Sequence, residues 1–453
     1  MSDHPQDLSL REQARAIADG ELDATELLEA TLARIGERDG PLRSIAESFG
    51  SEAAKMLAEA PEGPLHGVPV AVKDMFALPW RAPRDGSVKN PYGIGPGESG
   101  LYRRLRDSGA VVVAVTNMHE FGIGSTGHVS AYGPCATPWD VTRCAGGSSS
   151  GSASAVGARL VAGAVGTDGG GSIRYPASYC GVTGLKLTYG LMPRDGYTHG
   201  FASMGEAGPL CRDAADARLL AGAMLGRPLS SLRASGMKIG VPNVMWQDLD
   251  PEVEAGCRAA LEALAEAGCE LREIGLEGTE HALTATVVRL TVEGAPSAKP
   301  EIVREIEPQL SPLIRALMKY QLLLSADAVV RADRVRAQIR RSLAAAFSQV
   351  DVVAWPATPA PSPPISDPVV ELPSGRHPAD FANVRLGGLG NLAGVPAASV
   401  PCGLTAGRLP IGLQLLAPWR EEERLLDLAE LLERATDRRF VDAAPPVAQP
   451  AAA

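Results

Sequence analysis

Residues 67–74 read Gly-Val-Pro-Val-Ala-Val-Lys-Asp, and this stretch decides the fold class. Its run of apolar and β-branched side chains is typical of a strand that is buried on both faces, with Lys73 at its end. A second such run, Ala-Val-Val-Val-Ala-Val-Thr over 110–116, follows the helix-like stretch 99–108. Buried strands separated by helices predict a single large α/β/α sandwich, in which helices cover both faces of a mixed, largely parallel central sheet.

The rest of the chain continues this alternation. Ser9 and Asp23 are expected to cap the first two helices. The predicted elements are helices over 10–18, 23–37, 52–59, 252–266, 325–347 and 421–435, and strands over 238–241, 270–274, 350–354, 397–401 and 412–416. No internal repeat or long linker interrupts them, so we expect one domain over 1–442. The Ala- and Pro-rich tail, 443–453, is expected to be disordered.

The composition excludes several classes of protein. The chain has 453 residues and a formal net charge of −10, which lacks the broad basic surface that nucleic-acid binding needs. No apolar run is long enough to span a bilayer. The seven cysteines are scattered, without a Cys-x-x-Cys pair or clustered histidines, which argues against a disulfide framework or a zinc site. We therefore expect a cytoplasmic protein.

Two glycine-rich segments stand apart from the rest. Residues 146–152 read Gly-Gly-Ser-Ser-Ser-Gly-Ser, and residues 166–174 read Gly-Thr-Asp-Gly-Gly-Gly-Ser-Ile-Arg. Three glycines before Ser172 allow a tight turn whose successive backbone N–H groups point into one concavity, the geometry that stabilises an oxyanion. Ser172 is therefore a candidate nucleophile.

A serine nucleophile needs a base, and histidine is the usual one. The three histidines near these segments (His119, His128 and His199) belong to no recognisable triad motif, and the first two fit packing or cleft positions better. Lysine can replace histidine when burial keeps it neutral. Lys73, at the end of a buried strand, fits this role, and a hydroxyl from the Ser148 segment could relay the proton.

These segments, with the strand before Lys73, closely resemble the amidase signature family. The likeness extends to Thr-Asn-Met-His-Glu-Phe over 116–121 and Asn-Leu-Ala-Gly-Val-Pro over 391–396, and it covers nearly the whole chain. The family implies amide hydrolysis to a carboxylate plus ammonia or an amine, with no cofactor and no metal. A small-molecule amide is the expected substrate, and a homodimer is left open.

The resemblance also implies roles for individual residues. Lys73 corresponds to the general base, Ser148 to a bridging serine in a cis peptide, and Ser172 to the nucleophile. Ser148 lies 24 residues before Ser172, the separation in the family pattern, and Ser149 is the weaker candidate for the bridge. The oxyanion donors would be the backbone N–H groups of Gly169, Gly170, Gly171 and Ser172. Asp168 and Arg174 would support the site from behind, or simply pair with each other.

Three other functions have to be compared with this one. The glutaminase subunit of a tRNA-dependent amidotransferase belongs to the same family, but it carries an aspartate seven residues before Asn-Leu-Ala-Gly, where this chain has Val384. An apolar side chain cannot pair with the ammonium of glutamine, which favours a free-standing amidase. A non-catalytic scaffold is disfavoured because Lys73, Ser148 and Ser172 are all retained. A phosphate-binding loop is discounted because no Gly-x-x-x-x-Gly-Lys-Ser/Thr motif occurs.

The substrate cleft is expected to be formed by less motif-like stretches. We assign it to residues 84–96, 192–204 and 373–389, whose side chains are too mixed to name a ligand.

Overall fold

The computed structural model describes residues 4–90, 92–198, 201–231, 234–294 and 300–436. The predicted disordered tail, 443–453, lies outside these residues, and so does His199. Among the described residues, no helix is both long enough and apolar enough to cross a bilayer.

Fourteen α-helices are formed by the described residues. They are α1 (Leu10–Ala18), α2 (Ala24–Arg38), α3 (Gly50–Ala58), α4 (Gly100–Asp107), α5 (Ser150–Gly157), α6 (Arg174–Cys180), α7 (Ala214–Leu225), α8 (Pro251–Glu266), α9 (Ala282–Gly294), α10 (Pro300–Ile306), α11 (Pro312–Tyr320), α12 (Ala326–Phe347), α13 (Ala379–Ala393) and α14 (Glu422–Ala435).

Fifteen β-strands accompany them in the same part of the chain. They are β1 (Ile45–Ser48), β2 (Pro69–Lys73), β3 (Val111–Thr116), β4 (Ala136–Thr137), β5 (Asp140–Cys144), β6 (Gly163–Asp168), β7 (Thr183–Lys186), β8 (Glu206–Cys211), β9 (Lys238–Pro242), β10 (Glu270–Ile274), β11 (Val352–Pro356), β12 (Val369–Leu372), β13 (Gly375–Pro378), β14 (Ala397–Leu404) and β15 (Pro410–Leu416).

The predicted caps at the start of the chain are both present. Ser9 Oγ accepts from the N–H of Glu12, and the Glu12 carboxylate accepts from the N–H of Ser9, which is a complete capping box. The Asp23 side chain accepts from the N–H groups of Thr25 and Glu26 at the start of α2. Each cap satisfies N–H groups that have no partner inside the helix.

One mixed sheet of eleven strands organises the molecule. Its strand order is β1-β3-β2-β6-β8-β7-β14-β15-β11-β9-β10. Every residue of β2, β3, β6, β11 and β15 is buried. Because successive side chains of a strand point to opposite faces, this burial means that both faces of the sheet are covered. The α/β sandwich with a mixed central sheet is therefore confirmed.

The proportion of parallel strands differs from the prediction. Four neighbouring pairs are parallel, β2–β3, β2–β6, β9–β10 and β9–β11. The other six pairs among the described residues are antiparallel. One of these pairs, β14–β15, is antiparallel because the two strands form a hairpin through a short turn, with no helix between them. A strand buried on both faces has the same apolar pattern in either orientation.

Candidate active site

Two neighbouring parallel strands bring the first site residues together. Strand β2 pairs with β6 so that Val72 lies opposite Val165, and both strands end at the same edge of the sheet. Lys73 at the end of β2 therefore meets Thr167 near the end of β6. Lys73 Nζ donates to Thr167 Oγ1 at 2.8 Å, and it lies 2.7 Å from Ser148 Oγ. The structure thus brings together the predicted base and the predicted bridging serine.

The environment of Lys73 alters its protonation. The side chain is fully buried, and this burial lowers the pKa of the Lys73 amine from 10.5 to about 7, although the carboxylates of Asp168 and Asp85 oppose the shift. An amine with this pKa is neutral in about half of the molecules at pH 7, and in most of them about one pH unit higher. Lys73 therefore meets the electrostatic requirement for a general base.

The two candidate bridging serines differ in their contacts. The peptide bond between Gly147 and Ser148 is cis, and the Ser148 hydroxyl lies against Lys73. The Ser149 hydroxyl instead donates to the Thr167 carbonyl at 3.0 Å and accepts from the Thr167 N–H at 3.1 Å. Ser149 is therefore occupied with main-chain hydrogen bonds. Its own N–H donates to the Ser172 carbonyl at 3.1 Å, which joins the segment of Ser148 to the segment of Ser172.

The turn before Ser172 is shaped by Asp168. The Asp168 carboxylate accepts from the N–H of Gly171 at 2.6 Å and from the N–H of Ile173 at 3.2 Å. The Gly171 N–H is therefore already occupied, which corrects the prediction that it contributes to the oxyanion hole. Among the described residues, nothing accepts from the N–H groups of Gly169, Gly170 and Ser172, and these three stay candidates.

Close packing explains why this turn needs glycine. Gly171 has φ +122°, and a Cβ atom built there would lie 1.9 Å from Cζ of Tyr175. The Tyr175 hydroxyl donates to the Gly170 carbonyl, which fixes the ring against the turn. A Cβ atom at Gly169 would lie 2.8 Å from Cδ2 of Phe201. Larger side chains would push the turn out of position.

A buried network holds Asp168 in place. Arg174 forms a bidentate pair with Asp168, and its other N–H groups donate to the Gly387 carbonyl and to the side chains of Asn391 and Gln414. Asn391 in turn donates to Asp168. Asp168 and Arg174 thus pair with each other, and Asp168 also accepts from two N–H groups of the turn. Thr167, Asn391 and Gln414 were not predicted from the sequence as site residues, since only the folded sheet brings them together.

The nearby histidines have no charge to contribute at neutral pH. His119 is buried, its Nδ1 accepts from the Gly127 N–H at 3.1 Å, and burial lowers its pKa to about 4. Burial also lowers the pKa of His128. The His119 ring lies against Gly124, and the His128 ring packs edge-on against that of His119.

A cavity of about 280 Å³ opens onto Ser172, Gly169 and Gly170. Phe201 lines it from the predicted stretch 192–204. Pro378, Asp380, Phe381 and Val384 line it from the predicted stretch 373–389. The third predicted stretch, 84–96, contributes no lining residue among those described. Its place is taken by the loop Gly122–Ser125, by α9 and by α11, whose apolar side chains gave no motif in the sequence.

The residues that the structure describes do not form a metal-binding site. Within the described ranges, no three His, Cys, Asp or Glu side chains are grouped to hold a metal ion. All seven cysteines are free and buried.

The comparison with known proteins agrees with the architecture. The amidase family model matches residues 26–426. A glutamyl-tRNA(Gln) amidotransferase subunit from Anaeromyxobacter dehalogenans is 36% identical and covers 94% of this chain and 96% of its own length. The corresponding protein of Chromohalobacter salexigens is 33% identical, over 95% of this chain and 97% of its own.

Solved structures show the same relationship. A crystal structure of an amidase superposes with a TM-score of 0.90 at 32% identity, covering 95% of this chain and all of the other. The same glutamyl-tRNA(Gln) amidotransferase subunit from Thermotoga maritima superposes with a TM-score of 0.81 at 25% identity, covering 99% of both chains. The chain belongs to the amidase family and is a hydrolase of amide carbon–nitrogen bonds.

Proposed function

We propose that the chain hydrolyses a small carboxamide through an acyl-enzyme on Ser172, with Ser148 and Lys73 as the proton relay. The observation that carries this proposal is the 2.7 Å contact between Lys73 Nζ and Ser148 Oγ around a fully buried lysine. A solvated lysine at a strand end would be protonated at pH 7 and could not accept a proton.

The first half of the reaction forms the acyl-enzyme. Ser172 Oγ attacks the amide carbon, its proton passes to Ser148, and the Ser148 proton passes to neutral Lys73. The negative charge on the carbonyl oxygen is stabilised by the N–H groups of Gly169, Gly170 and Ser172. Lys73, now an ammonium, returns a proton through Ser148 to the departing nitrogen, and ammonia or an amine leaves.

The second half releases the acid. A water molecule takes the place of the leaving group, gives a proton through Ser148 to Lys73, and attacks the ester carbon of the acylated Ser172. The Ser172 oxygen then leaves and regains its proton by the same path. This cycle needs only groups supplied by the chain and water.

The glutaminase subunit of an amidotransferase is the second candidate. The curated relatives described above favour it, because they carry the name of that enzyme at 33% and 36% identity. The cavity argues against glutamine at the expected position, because Val384 lines it where an aspartate would grip the amino group. We therefore favour a free-standing amidase that acts as a cytoplasmic enzyme, with a homodimer left to be tested by the mass of the purified chain in solution.

Two measurements test the proposed function. Purified protein should react with a fluorophosphonate serine probe at Ser172, located by peptide mass spectrometry, and Ser172→Ala should not react. Ammonia release from glutamine and from a panel of aliphatic and aryl amides should then separate the two candidates. Identical labelling of both proteins, or release of neither ammonia nor an amine from any amide, would overturn the proposal in favour of a non-catalytic scaffold.

A further inference from the structure

We infer that the active-site cavity accepts carboxamides whose aliphatic chain ends in a protonated amine, and that Asp380 binds this amine. The inference rests on the proposed function and names the substrate class of the same site. Its starting point is the lining of the cavity. Leu290, Leu313 and Leu317 provide apolar walls, and Asp380 is the one charged residue among the lining residues described.

The Asp380 carboxylate has no cationic partner in the described part of the chain. Its Oδ1 accepts a single hydrogen bond from the Ser125 N–H, at 2.5 Å. The side chains that feel its charge most directly are His119 and His128, and burial lowers the pKa of both, so they are neutral at pH 7. A half-buried carboxylate among apolar side chains is costly without a counter-charge. A ligand ammonium would supply that charge.

Helix α13 shows how far this carboxylate lies from the reacting groups. Near the C-terminal end of α13, the Asn391 side chain donates to Asp168. One turn earlier, Gly387 lies so close to Tyr175 that a Cβ atom built on the glycine would be 2.0 Å from the Tyr175 hydroxyl. Val384 and then Asp380 follow at successive turns away from the catalytic residues. Asp380 therefore lies about 6 Å beyond Val384 along the helix axis.

This spacing selects the length of the substrate. An amine held at the position of Val384 would suit a short chain such as that of glutamine. An amine held at Asp380 needs a longer chain between the ammonium and the carbonyl. The apolar walls between the two ends suit methylene groups, because they bury them without leaving polar groups unpaired. An ω-amino carboxamide of about eight carbons, whose amine lies about four bonds farther from the carbonyl than that of glutamine, spans most of the ~6 Å between Val384 and Asp380 and meets both requirements. The uncharged amide of the same length lacks only the charge.

The test compares 8-aminooctanamide with nonanamide, a neutral amide of the same length. Wild-type protein should favour the amine, mainly through a lower KM. In Asp380→Asn, which keeps an acceptor for the Ser125 N–H, the ratio of the two kcat/KM values should fall by about tenfold to a hundredfold, the contribution of a hydrogen bond to a charged group. The double variant Val384→Asp/Asp380→Asn provides the matched control, since it moves the carboxylate one turn inward and should raise the activity on glutamine relative to 8-aminooctanamide.

A binding experiment separates failure of this inference from failure of the proposed function. Calorimetric titration of Ser172→Ala with n-hexylamine needs no turnover, and the amine should bind more weakly to Ser172→Ala/Asp380→Asn. An equal substrate ratio in wild type and Asp380→Asn, together with equal amine binding, would overturn the inference even if amides are hydrolysed. If no amide is hydrolysed but the amine binds through Asp380, the proposed function fails and the cation site stands. Thermal unfolding of each variant checks that it is folded.

Discussion

Asp168 and Arg174 form two parallel hydrogen bonds, Nε to Oδ2 at 2.9 Å and Nη2 to Oδ1 at 3.0 Å, and neither side chain is exposed to solvent. Burial alone would raise the pKa of Asp168, but the Arg174 charge outweighs it and holds the pKa well below the usual range. Asp168 is therefore a permanent carboxylate behind the turn that carries Ser172.

Arg174→Met should lower the free energy of unfolding by about 3–5 kcal/mol, because it leaves a buried carboxylate without its partner. Urea denaturation measures this loss. The double variant Asp168→Asn/Arg174→Met removes the unpaired charge and should recover part of the stability. Activity should stay low, because asparagine offers one acceptor oxygen where the Gly171 and Ile173 N–H groups use two. A single variant as stable as wild type would contradict this account of the pair.

The dependence of activity on pH should report Lys73. Since its pKa is about 7, kcat/KM is expected to rise as the pH increases through 7, where the amine loses its proton, and to level off above that. Lys73→Met should lower kcat by about 10²- to 10⁴-fold, the usual contribution of a general base. A wild-type profile that is flat across pH 7, or an unimpaired Lys73→Met variant, would disprove the lysine base.

Stability should respond to the same ionisation. The folded pKa of about 7 is below the unfolded value of 10.5, so between these two pH values the unfolded chain binds a proton that the folded chain does not. The free energy of unfolding contributed by Lys73 therefore rises with pH across this window. Lys73→Met should be stabilised relative to wild type below pH 7, and this advantage should shrink towards pH 10.5. Urea titrations of both proteins across the window measure the difference.

Substitutions of the two neighbouring serines should have different effects. Ser148→Ala removes the contact to Lys73 and should lower kcat by about 10²- to 10⁴-fold with little loss of stability. Ser149→Ala leaves the Thr167 N–H and carbonyl without their partner and should lower the free energy of unfolding by about 1–3 kcal/mol. Kinetics and urea denaturation of both variants test this. The reverse pattern would make Ser149 the bridge.

Thr167 is expected to tune the pKa of Lys73 through its hydroxyl group. Its Oγ1 accepts from Lys73 Nζ, which favours the charged amine, so Thr167→Val should move the acidic limb of the kcat/KM profile to lower pH. Thr167→Ser keeps the hydroxyl and should leave the limb in place. A merely structural role for Thr167 would reduce activity in Thr167→Val without moving the limb.

Local features of this protein could be predicted from the sequence, because each depends on neighbouring residues. The Ser9 capping box and the strand that ends at Lys73 are of this kind. Ser148 was favoured over Ser149 by spacing alone, through a family resemblance, and the contact with Lys73 agrees with that choice.

Features that depend on distant segments could not be predicted. The hydroxyl of Thr167 meets Lys73 only because β6 pairs with β2, and the antiparallel centre of the sheet depends on how β7, β8, β14 and β15 associate. The Gly171 N–H was predicted to face the substrate, but the folded turn directs it to Asp168. The walls of the cavity come from α9 and α11, and their apolar side chains follow the same sequence pattern as those of a helix that packs against a protein core.

The place of β14 in the sheet constrains the order in which the sheet can form during synthesis. Strand β14 joins β7 to β15, and β15 joins the sheet to β11, although β14 and β15 are the last strands in the described sequence. Until they leave the ribosome, the nascent chain holds two half-sheets with unpaired edges, which are templates for aggregation. Arg174 also lacks its partner Gln414 until then. Removal of residues 397–416 would therefore abolish both the closed sheet and the support of the active-site turn, so the site is assembled only after these two strands have been synthesised.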